Sequence, residues 1–252
     1  MEYFVRPGSI VRHIWGKGDT VLFIFAGSAA EFALNKAVDW LYFTGRLPAD
    51  PLGRLFSTVS YAKSIIFSDN ANALKAIDKI NDIHHKVEVD RKARIPDWAY
   101  RDVLFMLIDY SIRSFEALER PLTDWEKAEV FDVFYRVGQR MGITGLPKLY
   151  PDWLIMRREH LERDLKCSKF TTDLYRQYKK HLGMVRFILL KQVQLLIAPD
   201  RVKQLLQIGK YVYIKPILVL YKLSRFIGID TILKSAMLPA QYKKQILELD
   251  GA

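Results

Sequence analysis

PLTDWEKAEVFDVFYRVGQRMG, residues 121–142, decides the fold class. Thr123 and Glu126 stand three apart, the spacing at which a hydroxyl and a carboxylate each satisfy one of the free amides that open a helix. Val130, Phe134, Val137 and Met141 then follow at steps of four, three and four, and Gly142 supplies the residue that most easily takes the left-handed conformation closing a helix. The same periodicity covers about 70–87, 97–118, 150–166, 170–182 and much of 185–236, while strict two-residue alternation is rare. These patterns predict an all-α protein.

Two further stretches extend this reading. From Pro51 to Phe67, Leu52, Leu55, Phe56, Val59 and Ile66 share one arc, with the proline at the start, where its missing N–H costs nothing. Residues 19–43 are strongly apolar, but Glu31, Lys36 and Asp39 interrupt them, and they fall short of the roughly 20 apolar residues a membrane span needs. One or two buried helices are expected there. Pro216 is expected to kink or end a helix. No repeat or linker divides the 252 residues, so a single helical domain is the economical organisation.

The chain holds 39 Lys and Arg against 28 Asp and Glu, a net charge of +11, which favours an anionic partner. The basic residues are scattered and match no nucleic-acid-binding module, so nucleic acid is not expected. A lone Cys167 excludes an internal disulfide and any cysteine-clustered metal site. The N-terminus shows no signal or transit pattern, and a cytoplasmic location is expected. The segment 211–238 mixes Ile, Leu, Val and Tyr with Lys215, Lys222, Arg225 and Lys234, a composition that suits either a helix packed on the core or a peripheral membrane contact.

The pair His84-His85 raises the question of which ring faces inward. Ala73, Ile77, Ile80, His84 and Val87 fall at steps of four, three, four and three, placing His84 on the apolar seam, while His85 is turned about 100° away. An inward histidine is either a core residue hydrogen-bonded to a carbonyl or a metal ligand. No second ligand lies at a zinc-like spacing on that seam, whereas a haem needs one axial residue and an apolar slot. Arg54 and Thr58 stand four apart on the preceding helix, where they form either a solvated flank or the edge of such a slot. Asp109 interrupts the apolar VLFMLIDYSI; Arg113 one turn later is its natural ion partner, and orienting the His84 imidazole is the alternative role. Glu31, among Gly27, Ser28, Ala29, Ala30 and Ala33, is the best in-chain candidate for a general base beside bound oxygen, although small residues equally suit close helix packing.

ADPLGRLFSTVSYAKSIIF (residues 49–67) followed by INDIHHKV (residues 80–87) resembles the D-P-x-x-R-L-x-x-T and I-H-x-x-V motifs of the MpaB-type and latex-clearing-protein oxygenase catalytic domain. RDVLFMLIDYSIRSFEALERPLTDWEKAEVFDVFYRVGQRMGI is similar to the helix pair of that family, and the likeness runs from about residue 9 to 200, leaving 201–252 as a helical extension. The resemblance implies an all-helical, multi-helix bundle with a globin-like core that holds haem b, with His84 as the proximal iron ligand and Arg54 and Thr58 beside the haem. It also implies dioxygen as co-substrate and an apolar alkene, isoprenoid or lipid-like, as the molecule oxidised.

Four positions depart from the family pattern. Ala30 and Glu31 stand where many members carry His-Pro, Ser57 where some carry a lysine that caps the distal iron, and Leu104 near a position that is often His. Two rivals follow from the residues themselves: a haem carrier or gas sensor without turnover, and a haem-free helical protein that binds lipid or a membrane. No Ser-His-Asp set, P-loop or dinucleotide fingerprint is readable.

Overall fold

The computed structural model describes residues 2–45, 49–209 and 211–226. Those residues form helices with no β-strand among them. In chain order the helices are α1 (Ile10–Trp15), α2 (Gly18–Leu34), α3 (Val38–Phe43), α4 (Pro51–Phe67), α5 (Asn70–Arg91), α6 (Asp97–Leu118), α7 (Asp124–Arg140), α8 (Tyr150–Arg163), α9 (Lys169–Ile197), α10 (Asp200–Leu206) and α11 (Ile214–Phe226).

The helix in the opening stretch forms as its ends dictate. Thr123 Oγ1 accepts from the Glu126 amide at 3.2 Å, and Glu126 Oε2 accepts from the Thr123 amide at 2.9 Å. At the other end Gly142 takes φ +71° while its amide donates to the Gln139 carbonyl, closing the last turn. Val130, Phe134 and Val137 are buried along the seam between these caps.

At the centre α2 is buried along most of its length and packs on α6 and α9. The approach of α2 to α6 depends on Gly27, where a Cβ would lie 2.2 Å from the Tyr110 ring. Helices α4 and α5 pair as a hairpin; α4 leans on α9, and α5 leans on α7. One continuous apolar core runs through these layers. A wide space remains where the hairpin meets the α2–α6–α9 layer.

The apolar stretch 19–43 forms α2 and the short α3. Residues 169–197 form one run broken at Gly183 (φ +74°), which turns the second half of α9. Pro216 does not end or kink a helix: it sits in the first turn of α11, where the helix has no amide bond for it to break. The part of the 211–238 segment beyond residue 226, including Lys234, lies outside the described residues.

Candidate functional site

The space between the hairpin and the central layer is a cavity of about 1300 Å³. Its wall takes Arg54 and Thr58 from α4, His84 from α5, Leu104 from α6, Met141 from the end of α7 and Arg186 from α9. Residues from more than 130 positions of chain thus meet around one volume, and most of the surface they present is apolar.

His84 reaches the cavity because α5 holds its predicted phase: Ala73 and Ile77 are buried, Ile80, His84 and Val87 line the cavity, and His85 stands 76% exposed with Nδ1 3.9 Å from Glu88. The His84 ring lies 5.2 Å from that of Tyr100, whose hydroxyl donates to Glu88 Oε1 at 3.4 Å. Burial, then the nearby Arg54 guanidinium, push the imidazole pKa down to about 4 against the opposing pull of Glu88. The ring is therefore neutral at physiological pH and offers a lone pair without first losing a proton. Its Nδ1 is buried and has no hydrogen-bond partner among the described residues, and Ser28 Oγ on the same cavity wall is in the same state.

Arg54 and Thr58 are joined locally. Arg54 Nη1 donates to Ser57 Oγ at 3.3 Å and Thr58 Oγ1 at 3.4 Å, while the two hydroxyls donate back to the Arg54 carbonyl at 2.7 and 3.2 Å. The Thr58 proton is thus committed to the helix backbone, and what its hydroxyl presents to the cavity is a lone pair. Asp50 fixes the start of this helix by accepting from the Gly53 amide at 2.9 Å.

Glu31 and Asp109 are elsewhere. Arg157 from α8 donates to both Glu31 oxygens at 2.6 Å and to Asp109 Oδ2 at 3.0 and 3.1 Å, while Arg113 donates to Asp109 Oδ1 at 2.6 Å. All but Arg113 are buried, and neither carboxylate lines the cavity. Burial alone would raise the Asp109 carboxyl pKa, but Arg157 and Arg113 hold it below its ordinary range; burial alone would lower that of Arg157, but Glu31 and Asp109 raise it. Glu31 is thus held as a counterion of Arg157 away from the cavity wall, where a general base for a bound molecule would have to stand. Asp109 is likewise a counterion rather than the orienter of His84.

A second buried polar group pins the end of α2 to α8. Asp102 pairs with His160 Nδ1 and accepts from Asn35 Nδ2 at 2.8 Å; Asp164 lies 3.9 Å from the same imidazole nitrogen and takes a two-point contact from Arg163. One ligand atom from each of Asp102, His160 and Asp164 falls within 4.8 Å of the others, a set able to hold a divalent cation. Asn35 and Arg163 already engage the carboxylates, so the same geometry serves as an ion-paired clasp. Sequence reasoning missed Arg157 and this clasp. Their signal was present: Trp153, Arg157, His160 and Asp164 occupy one seam of α8 at steps of four, three and four, and polar groups on a buried seam need partners.

No helix among the described residues is long and apolar enough to cross a membrane. No curated protein and no solved structure matches the chain. The family described as "ER-bound oxygenase mpaB/B'/Rubber oxygenase, catalytic domain" matches residues 15–232, a span that includes every cavity residue named above and continues past residue 200 through α10 and α11. With most of its length matched, this chain belongs to the mpaB and rubber oxygenase catalytic-domain family.

Proposed function

We propose that this chain is an oxygenase that holds haem b through His84 and uses dioxygen on an apolar alkene of isoprenoid or lipid-like kind. The observation that carries the proposal is a neutral imidazole on the wall of a large apolar cavity, with a buried nitrogen that nothing among the described residues satisfies. A cavity of about 1300 Å³ exceeds the roughly 300–1,000 Å³ of an ordinary small-molecule site, which leaves room for a cofactor and a hydrophobic chain together. Membership of an oxygenase family supports the reaction class.

In this reading His84 would hold the haem through its ring lone pair, and its low pKa keeps that pair available well below neutral pH. Arg54 and Arg186 place positive charge on the cavity wall, where carboxylates of a bound macrocycle would be met by charge-assisted hydrogen bonds. Thr58 and Ser28 bring hydroxyl oxygens into an otherwise apolar wall, and Leu104, Leu107, Leu189 and Leu190 exclude water and receive a hydrocarbon chain. The haem, when bound, supplies the dioxygen chemistry that no side chain here can provide.

Oxygen uptake by the haem-supplemented protein against a panel of polyprenoids and unsaturated lipids tests this function. The expected result is uptake that depends on an alkene and disappears in His84→Ala. Haem binding without alkene-dependent uptake on any member of the panel points instead to a carrier or sensor.

A further inference from the structure

We infer that the outer face of α9 and α11 docks the protein on an anionic lipid surface. The first observation is where the charge resides. Between Leu174 and Phe226 the sequence holds 11 Lys and Arg and one acidic residue, Asp200, against 39 and 28 in the whole chain. Nearly all the excess positive charge falls in this segment, and the remainder of the chain is close to neutral.

The second observation is what this segment exposes. In the half of α9 beyond Gly183, Met184, Val185 and Ile188 are exposed, Val185 by 81%. Gln192, one turn after Ile188, ties this row to the connector before α11: its Oε1 accepts from the Tyr213 amide at 2.7 Å and its Nε2 donates to the Tyr211 carbonyl at 3.4 Å. Tyr211 and Tyr213 are exposed with rings 6.1 Å apart, and Tyr213, Ile217 and Leu220 continue the row at steps of four and three. The opposite side of α11 is anchored, with Ile214, Leu218 and Tyr221 buried and the Tyr221 hydroxyl donating to Asp19 at 2.8 Å. Exposed apolar and tyrosine side chains on helices that also carry the exposed Lys179 and Lys180 and the half-exposed Lys191 and Lys222 match the requirements of a bilayer interface, where lysine stems run along the apolar layer and tyrosines sit at headgroup level. Two copies of so positive a segment would repel each other, which argues for lipid over self-association.

This surface adjoins the cavity. Arg186, Leu189, Leu190 and Val193 line it from the neighbouring row of the same half-helix. On the proposed function, an apolar substrate dissolved in the bilayer would reach the cavity around α9 without crossing water. Docking itself does not depend on that function, because it needs neither haem nor turnover.

Flotation of the full-length, haem-free chain with phosphatidylcholine vesicles, with and without phosphatidylserine, tests the inference. The expected result is co-flotation with the phosphatidylserine-containing vesicles, reduced by salt, and weakened about tenfold or more in Val185→Glu/Ile188→Glu and in Ile217→Glu/Leu220→Glu. Unchanged helical circular dichroism, thermal midpoint and haem uptake show that the variants fold. No flotation of wild type, or equal flotation of wild type and both folded variants, overturns the inference. So does light scattering that finds a wild-type dimer which the same variants split, since the face then binds a second copy. Vesicle binding with no oxygen uptake would retain the docking surface and discard the oxygenase.

Discussion

At neutral pH the His84 imidazole is uncharged because burial and the Arg54 guanidinium outweigh the attraction of Glu88, leaving its pKa at about 4 against the ordinary 6.5. Between those values the unfolded chain takes up a proton that the folded chain refuses. The contribution of this group to stability is thus complete above about 6.5 and is lost as pH falls toward 4. The thermal midpoint of the haem-free protein should drop across that window, and drop less in His84→Gln; parallel pH profiles would show that His84 is not the group responsible. Arg157→Ala leaves Glu31 buried without its arginine and Asp109 with the half-exposed Arg113 alone, and urea unfolding should register a loss of about 3–5 kcal/mol. A loss below about 1 kcal/mol would mean that water reaches the network. The two cases explain what was legible at this scale. The facing of His84 follows from local steps along one helix, which a sequence displays. The roles of Glu31 and Asp109 depended on a guanidinium 126 and 48 positions away, which no local pattern reveals.

Helices were readable wherever both a seam and its end signals were present. The Thr123 and Glu126 box and the Gly142 stop bracket α7 as expected, and Thr123→Ala should cost about 1 kcal/mol in chemical unfolding, with Thr123→Ser close to wild type. The break at Gly183 falls in the gap expected between 170–182 and 185–236, whereas the start of α11 was not read, since a proline within an apolar run carries the same local signal whether it interrupts a helix or begins one. Contacts between elements also depend on single residues. A methyl group at Gly27 would overlap the Tyr110 ring, so Gly27→Ala should force α2 from α6 and destabilise the fold by about 1–3 kcal/mol. A neutral result would show that the two helices can slide to absorb the added carbon. Because Tyr110 belongs to the core and not to the cavity wall, this loss should appear in unfolding before it appears in haem affinity.

The cavity belongs to the molecule as a whole. No stretch of sequence contains it, because it exists only where the α4–α5 hairpin settles on α2, α6, α7 and α9, and its volume depends on how those helices cross. The family resemblance named residues that this arrangement does bring together, Arg54, Thr58 and His84, and the fold adds Ser28, Tyr100 and Arg186 around them. The concentration of positive charge between 174 and 226 was present in the sequence, yet its meaning needed the structure, which sets an exposed apolar row on the helices of that segment and the cavity one row behind it. On the proposed function, His84 is the residue through which the protein binds haem. The most direct measurement is the visible absorption spectrum of the purified, haem-supplemented chain, comparing wild type with His84→Ala and His85→Ala. A stoichiometric Soret band that is lost in His84→Ala and kept in His85→Ala is the predicted result; no stoichiometric haem in wild type, or a band that survives His84→Ala, would contradict it.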